Sequence, residues 1–431
     1  MDVYERLMHD VRVPLMQRVR YTMEDQSIAD IRSAVMASFA ASGLAERVPQ
    51  GGSIAIGVGS RGLYGLPELV KAVVDWFAGL GAHPFIVPCM GSHGGATAEG
   101  QRQLLEGLGI TAESMGCPVR SCMDVVQVGQ LDDFQLPVYM DRLASEADGV
   151  FVINRVKLHT TFTGKHESGL IKMMTIGLGK QRGAESCHNL GYAHFTEIMP
   201  AMASMILERH PAVLGGLATV ENAYDHLCHL EVVPREKMLE RDAALLEMSK
   251  RVMPSLPLKE LDVLLVDRMG KNISGLGMDP NITGRFVSSY KTNDVRIARL
   301  GALDLTAETH GGAAGIGCAD VISSRLYNKI DFAATYTNVL TSTVLRGAFV
   351  PLVMPTDSLV IRAMIKTCNA GSRPVRMMRI RDTLTLGRLL VSPAVAALLA
   401  GRDDCELVGD PFALRFDAEG NLDDAGCWTD F

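Results

Sequence analysis

Residues 53–95 read SIAIGVGSRGLYGLPELVKAVVDWFAGLGAHPFIVPCMGSHGG, and this stretch decides the fold. SIAIGV (53–58) is a short, almost wholly apolar run that ends in a Gly-rich turn, as a strand covered on both faces would. LPELVKAVVDWFAGLG then places apolar residues at helical spacing, and a second buried run, HPFIVPCM (83–90), follows at once. A further turn, GSHGG, leads into the helical AEGQRQLLEGLG, and GVFVINRV (149–156) repeats the strand that runs into a polar loop. Alternating β and α elements with near-continuous apolar strands predict an α/β fold with a mainly parallel sheet.

At 431 residues the chain is long enough for two or three domains. MPSLPLKELD (253–262) sets two prolines between a charged helical stretch and a new buried strand, LDVLLVDRMG. The expected division is therefore an N-terminal α/β domain over 1–255 and a C-terminal α/β domain over 256–431, with a site in the cleft between them. A net charge of −7, with 21% charged and 47% apolar residues, excludes a disordered chain and argues against a nucleic-acid partner. The N-terminus lacks the apolar core of a secretory signal. The longest apolar tract, Leu389 to Ala400, is broken by Ser392 and Pro393 and falls short of the ~20 residues a membrane span needs. A cytoplasmic protein without a membrane partner is the expectation. Nine scattered cysteines without a Cys-x-x-Cys pair argue against a disulfide framework or a structural zinc site.

Polar motifs stand where the strands end. Gly57-Val-Gly59-Ser60-Arg61-Gly62 has the outline of a dinucleotide fingerprint, yet the next strand ends Val87-Pro88-Cys89, without the acid that would hold a ribose. An anion-binding turn using Ser60 and Arg61, a nicotinamide site on Gly57, Gly59 and Gly62, and a purely structural turn all stay open. An arginine here can grip a carboxylate with its planar fork; a solvated surface arginine is the bland alternative. His93, between glycines, is either a functional or a simple loop histidine. The densest stretch is NRVKLHTTFTGKHESGLIK (154–172), whose Lys, His, Arg and Glu among Gly, Ser and Thr suit a polar site. Lys172 opens the apolar run MMTIGLG, so it is placed near the inner end of a buried helix rather than on the surface. His188 and His194 follow in CHNLGYAHF, where either can be a structural histidine. HGGA recurs at His93 and His310, an echo taken as chance.

GSHGG, the histidine and Ser-Gly-x-x-Lys of HTTFTGKHESGLIK, and a histidine sixteen residues after that lysine resemble the nickel-dependent lactate racemase family and its racemase and epimerase homologues. The resemblance spans about residues 50 to 200. It implies an isomerase that racemises or epimerises a 2-hydroxyacid with a nickel-pincer nucleotide, a cofactor made by dedicated cofactor-building enzymes. It implies His93 and His159 as the paired acid/base histidines, Lys172 as the covalent cofactor anchor, and His188 as the nickel ligand. Ser60, Ser168 and Gly169 fall to the cofactor, and Arg61 to the substrate carboxylate.

The interval from His159 to Lys172 is about two residues longer than in the family, so His166 stands as a substitute for His159. The family's Asp-x-x-Arg appears as Val58-Gly-Ser-Arg61. Its second-domain Gln-x-x-Lys has no clear match, and the polar run Asp267-Arg-Met-Gly-Lys271-Asn-Ile-Ser274 takes its place, with Lys271 as a substrate-binding candidate or a neutraliser of cofactor phosphate. These departures point to a larger or more polar 2-hydroxyacid than lactate. Imidazoles suit such chemistry because each can give or take a proton near neutral pH. Nickel accepts imidazole together with sulfur donors, so one protein histidine is enough. A bound nicotinamide cofactor would favour an oxidoreductase instead, and a non-catalytic binder of small anions would have no use for all four of His93, His159, Lys172 and His188.

Overall fold

The computed structural model describes residues 3–424, 427–428 and 431. It divides into two compact α/β units, one over Asp25–Met253 and the other joining the chain up to Glu24 with the chain from Pro254 onward. The break thus falls within the two-proline segment. A single N-terminal unit over 1–255 does not form, however, because the first residues pack with the C-terminal unit.

The reason is the strand Met16–Tyr21. Its MQRVRY pattern buries Met16, Val19 and Tyr21. It pairs antiparallel with Arg388–Val391 on one side and Cys405–Phe412 on the other, Val19 lying opposite both Leu389 and Leu407. It is thereby an inner strand of an eight-stranded sheet. Five strands of that sheet run parallel, in the spatial order Leu352–Met354, Val321–Ser323, Arg296–Leu305, Glu260–Met269 and Met377–Ile380.

The Asp25–Met253 unit is built on a five-stranded sheet ordered His83–Pro88, Ser53–Val58, Gly149–Arg155, Val213–Glu221 and Leu227–Pro234. The first four are parallel and the last is antiparallel. Successive side chains of a strand face opposite sides, and both sides here are apolar. Ile54, Ile56 and Val58 pack with helices Ile31–Ser42 and Leu66–Gly79. Ala55, Val150 and Val152 face the other core, built from Phe195–Arg209, Met238–Val252 and the hairpin Val125–Leu131 with Leu136–Asp141. Helix starts are locally encoded: Asp30 accepts from the Ser33 amide at 2.9 Å, and Pro67 occupies the first turn of Leu66–Gly79. Among the described residues no helix is long and apolar enough to cross a membrane.

Candidate active site of the Asp25–Met253 unit

Three loops leave the carboxyl ends of adjacent parallel strands, after Val58, Pro88 and Arg155, the end at which open α/β sheets place ligands. In the first loop Gly57 still belongs to the strand, where an added Cβ would meet Val152 and Cys89 at 3.1 and 3.2 Å. The helix begins only at Leu66, after a left-handed Gly65. Gly57 is therefore a close-packing position, and Gly57 to Gly62 does not wrap the helix N-terminus as a dinucleotide fingerprint requires. Glu221, buried at the end of its strand, fixes this loop by accepting the Tyr64 amide at 2.8 Å while pairing with Arg155. Ser60 is half-buried and Arg61 exposed.

His93 is exposed, and its Nδ1 lies 2.5 Å from Ser60 Oγ. Its loop is held from beneath by groups the sequence did not single out. Fully buried Gln101 donates to the carbonyls of Gly91 and His93 at 2.8 and 3.2 Å. Its Oε1 accepts from Lys180 Nζ at 3.1 Å, and Lys180 also donates to the Pro88 carbonyl at 2.5 Å and pairs with Asp141 at 2.9 Å. Lys180 and Asp141 are both fully buried, which is tolerable only because each charge meets the other and further polar atoms.

The third loop is closed at its neck by backbone hydrogen bonds between Lys157 and Ser168, at 2.8 and 3.1 Å. Inside it, buried Glu167 accepts the amides of His159 and Gly164 at 2.6 and 3.2 Å. His166 is buried, 5% exposed, with Nδ1 at 3.1 Å from the buried Asp242 carboxylate. Such a ring braces the loop, whereas His159 is half-buried. Gly169 likewise packs rather than presents a surface: its carbonyl accepts from Asn154 at 2.9 Å, and an added Cβ would stand 2.1 Å from Asp242 Oδ1. Ser168 contributes its backbone to the neck of the loop.

Lys172 ends the short helix Leu170–Lys172, which passes into a π-helical turn, Met173–Gly177, of the kind found at functional sites. Lys172 is half-buried as a residue, but burial and the nearby Arg61 guanidinium pull its pKa down to about 8. At pH 8 about half of it is then neutral amine, against under about 1% of an ordinary lysine. Acylation of Lys172, followed by peptide mass spectrometry against pH, should show an inflection near 8; one above 9.5 would contradict this environment.

His188, at the end of helix Lys180–Asn189, has its pKa lowered by burial and by Lys172, and its buried Nδ1 has no hydrogen-bond partner among the described residues. Tyr192 joins it to His159: the Tyr192 ring lies 5.7 Å from that of His188 and 6.2 Å from that of His159, and the phenol bonds the Thr161 side chain. The helix ends at Asn189 and Gly191 (φ 73°) turns the chain before Tyr192, so no helical spacing in the sequence signalled this contact. His93 through Ser60, then Arg61, Lys172, His188, Tyr192 and His159 thus form one linked cluster within this unit. His194 is exposed, with its ring 5.7 Å from Phe134. Lys271 lies in the other unit, where it lines a small cavity of about 170 Å³ with Thr309, His310 and Gly312.

The histidines differ in tautomer. The Thr161 amide donates to His159 Nδ1 at 3.1 Å, so the proton of neutral His159 sits on Nε2. For His93 the Ser60 hydroxyl can serve as acceptor or donor, leaving either tautomer available. Among the described residues no three His, Cys, Asp or Glu side chains gather into a metal-holding group.

The sequence matches no protein-family model and no curated protein. Among solved structures it is similar to the lactate racemase apoprotein from Thermoanaerobacterium thermosaccharolyticum, at 13% identity and a TM-score of 0.42, over 72% of this chain and 73% of that one. Likeness at this level carries no residue correspondence.

Proposed function

We propose that this protein racemises or epimerises a 2-hydroxyacid with the help of a nickel-pincer nucleotide held in the Asp25–Met253 unit. The observation that carries the proposal is Lys172, an amine with its pKa lowered to about 8, beside His188, an imidazole whose buried Nδ1 lacks a partner. These two residues fit the group: a partly neutral amine can form a thioamide with a thiocarboxylate, and a neutral imidazole has a lone pair for nickel. When bound, the pincer ring supplies an electron-poor carbon able to take the hydrogen on the substrate Cα as hydride and to return it.

The chain's own residues supply binding and proton transfer. Arg61, exposed beside Lys172, holds the substrate carboxylate and keeps the flat ketoacid from leaving. His93, with Nδ1–H donated to Ser60 Oγ, keeps an Nε2 lone pair to accept the hydroxyl proton. His159, as the imidazolium, gives a proton from Nε2 to the oxygen of the inverted product and is left neutral. The neutral ring then keeps its proton on Nδ1 and an Nε2 lone pair with which it acts as the base in the reverse direction, so both forms require it to release the Thr161 amide. The departures from the family motifs at Val58 and around Lys271 favour a larger, more polar substrate, such as a sugar acid or hydroxy diacid, because a polar site left unmatched is costly.

The test is chiral analysis of a 2-hydroxyacid panel incubated with protein co-expressed with the cofactor-building enzymes. Stereochemical inversion is expected, with a higher kcat/KM for polar acids than for lactate. Lactate preferred over every polar acid would refute the substrate class, and inversion of none would refute the function.

A further inference from the structure

A second cavity, of about 510 Å³, lies in the C-terminal unit and is lined by residues near the carboxyl ends of Glu260–Met269, Arg296–Leu305 and Met377–Ile380. Its size is that of a small-molecule site and its position is where parallel sheets bind ligands. Arg379, fully buried, lines it. Its Nε and Nη2 bind Asp267 at 2.7 and 3.0 Å, and Nη2 also binds Asp424 at 2.6 Å. Its Nη1, buried as well, has no hydrogen-bond partner among the described residues. Leaving a charged donor so placed is costly, and native folds seldom accept it without a use.

The acceptors on the wall are already engaged. Asp267 also takes the Trp428 indole N–H at 3.1 Å; Asp357 takes Arg325 at 3.1 Å and the Leu422 amide at 3.0 Å; Asp304 takes Lys329 at 2.6 Å. Donors remain in excess. Arg381 and Arg388 are exposed on the same lining. Arg381 has no ion pair among the described residues, and Arg388 reaches only the Trp428 carbonyl, at 3.1 Å, and the face of Phe431. What this wall needs is an acceptor with negative charge, and guanidinium forks match oxyanions best.

We propose that this cavity binds a small organic oxyanion, a molecule bearing a phosphoryl or carboxylate group that takes Arg379 Nη1 and the forks of Arg381 and Arg388. It does not depend on the function proposed for the other unit. Isothermal titration of the full chain at low ionic strength, with inorganic phosphate and with succinate, a dicarboxylate without a hydroxyl, as probes, tests it. Saturable binding of at least one probe is expected, weakened tenfold or more in the Arg381→Ala/Arg388→Ala double variant and unchanged in Arg251→Ala, an exposed arginine of the other unit. The probe that binds tells phosphoryl from carboxylate preference. Both substituted side chains are exposed, so the variant should melt as the parent does; if it does not, Arg381→Glu alone replaces it under the same criterion. Absence of saturable binding, a loss smaller than tenfold, or an equal loss in Arg251→Ala would overturn the proposal.

Discussion

His93→Ala and His159→Ala should each lower kcat for inversion by about 10²–10⁴-fold, the usual contribution of a positioned acid or base. Each loss should appear from either enantiomer, because the proton taken by one histidine in the forward direction is given back by it in the reverse. Ser60→Ala, which removes only the partner of His93 Nδ1, should cost less, since a positioning bond strengthens the base without being the base. His166→Ala is the contrasting case: the ring is buried against Asp242, so its loss should lower the melting temperature before it lowers the rate of the folded fraction. Progress curves by chiral chromatography, beside thermal melts, separate the two. A His93→Ala variant within threefold of the parent kcat would remove His93 from the chemistry.

His188→Ala should bring the nickel content of co-expressed protein from about one per chain to background while the chain stays folded. The ring packs against Tyr192 and Phe195, at 5.7 and 5.3 Å between centroids, so some stability is lost with it, but its buried Nδ1 makes no hydrogen bond that folding needs. The pH dependence has a definite sign. Because burial and Lys172 lower the pKa of His188, the neutral, metal-binding ring persists to lower pH than an ordinary histidine would allow. Metal should therefore be retained as pH falls through about 6.5, the usual histidine value. Elemental analysis after dialysis at several pH values checks both points. Unchanged nickel in the variant would contradict the assignment.

How much of this was legible in the sequence follows from which interactions are local. SIAIGV, FIVPC and VFVIN announced a parallel sheet because strands covered on both faces lack polar alternation, and the polar loops after them marked its ligand-binding end. The strand Met16–Tyr21 could not be assigned to its sheet, since its partners lie some 370 and 390 residues away and nothing within MQRVRY names them. The same holds at the site. His93, Lys172 and His188 stand out as polar residues in glycine-rich or apolar surroundings. The Lys180, Asp141 and Gln101 network that holds the His93 loop joins residues 39 to 79 positions from Lys180 in the chain, and each alone looks like an ordinary surface residue. The different settings of His159 and His166 likewise come from Asp242, 76 residues beyond His166, which pairs with the buried ring of His166 while His159 is half-buried.

Lys172 is the proposed point of attachment of the nucleotide. Intact-mass measurement and peptide mapping of protein co-expressed with the cofactor-building enzymes test that directly. The expected result is one nucleotide-sized adduct per chain, on the peptide containing Lys172 and absent from Lys172→Ala. An adduct on Lys157 or Lys165, or nickel-loaded protein of unmodified mass, would contradict it.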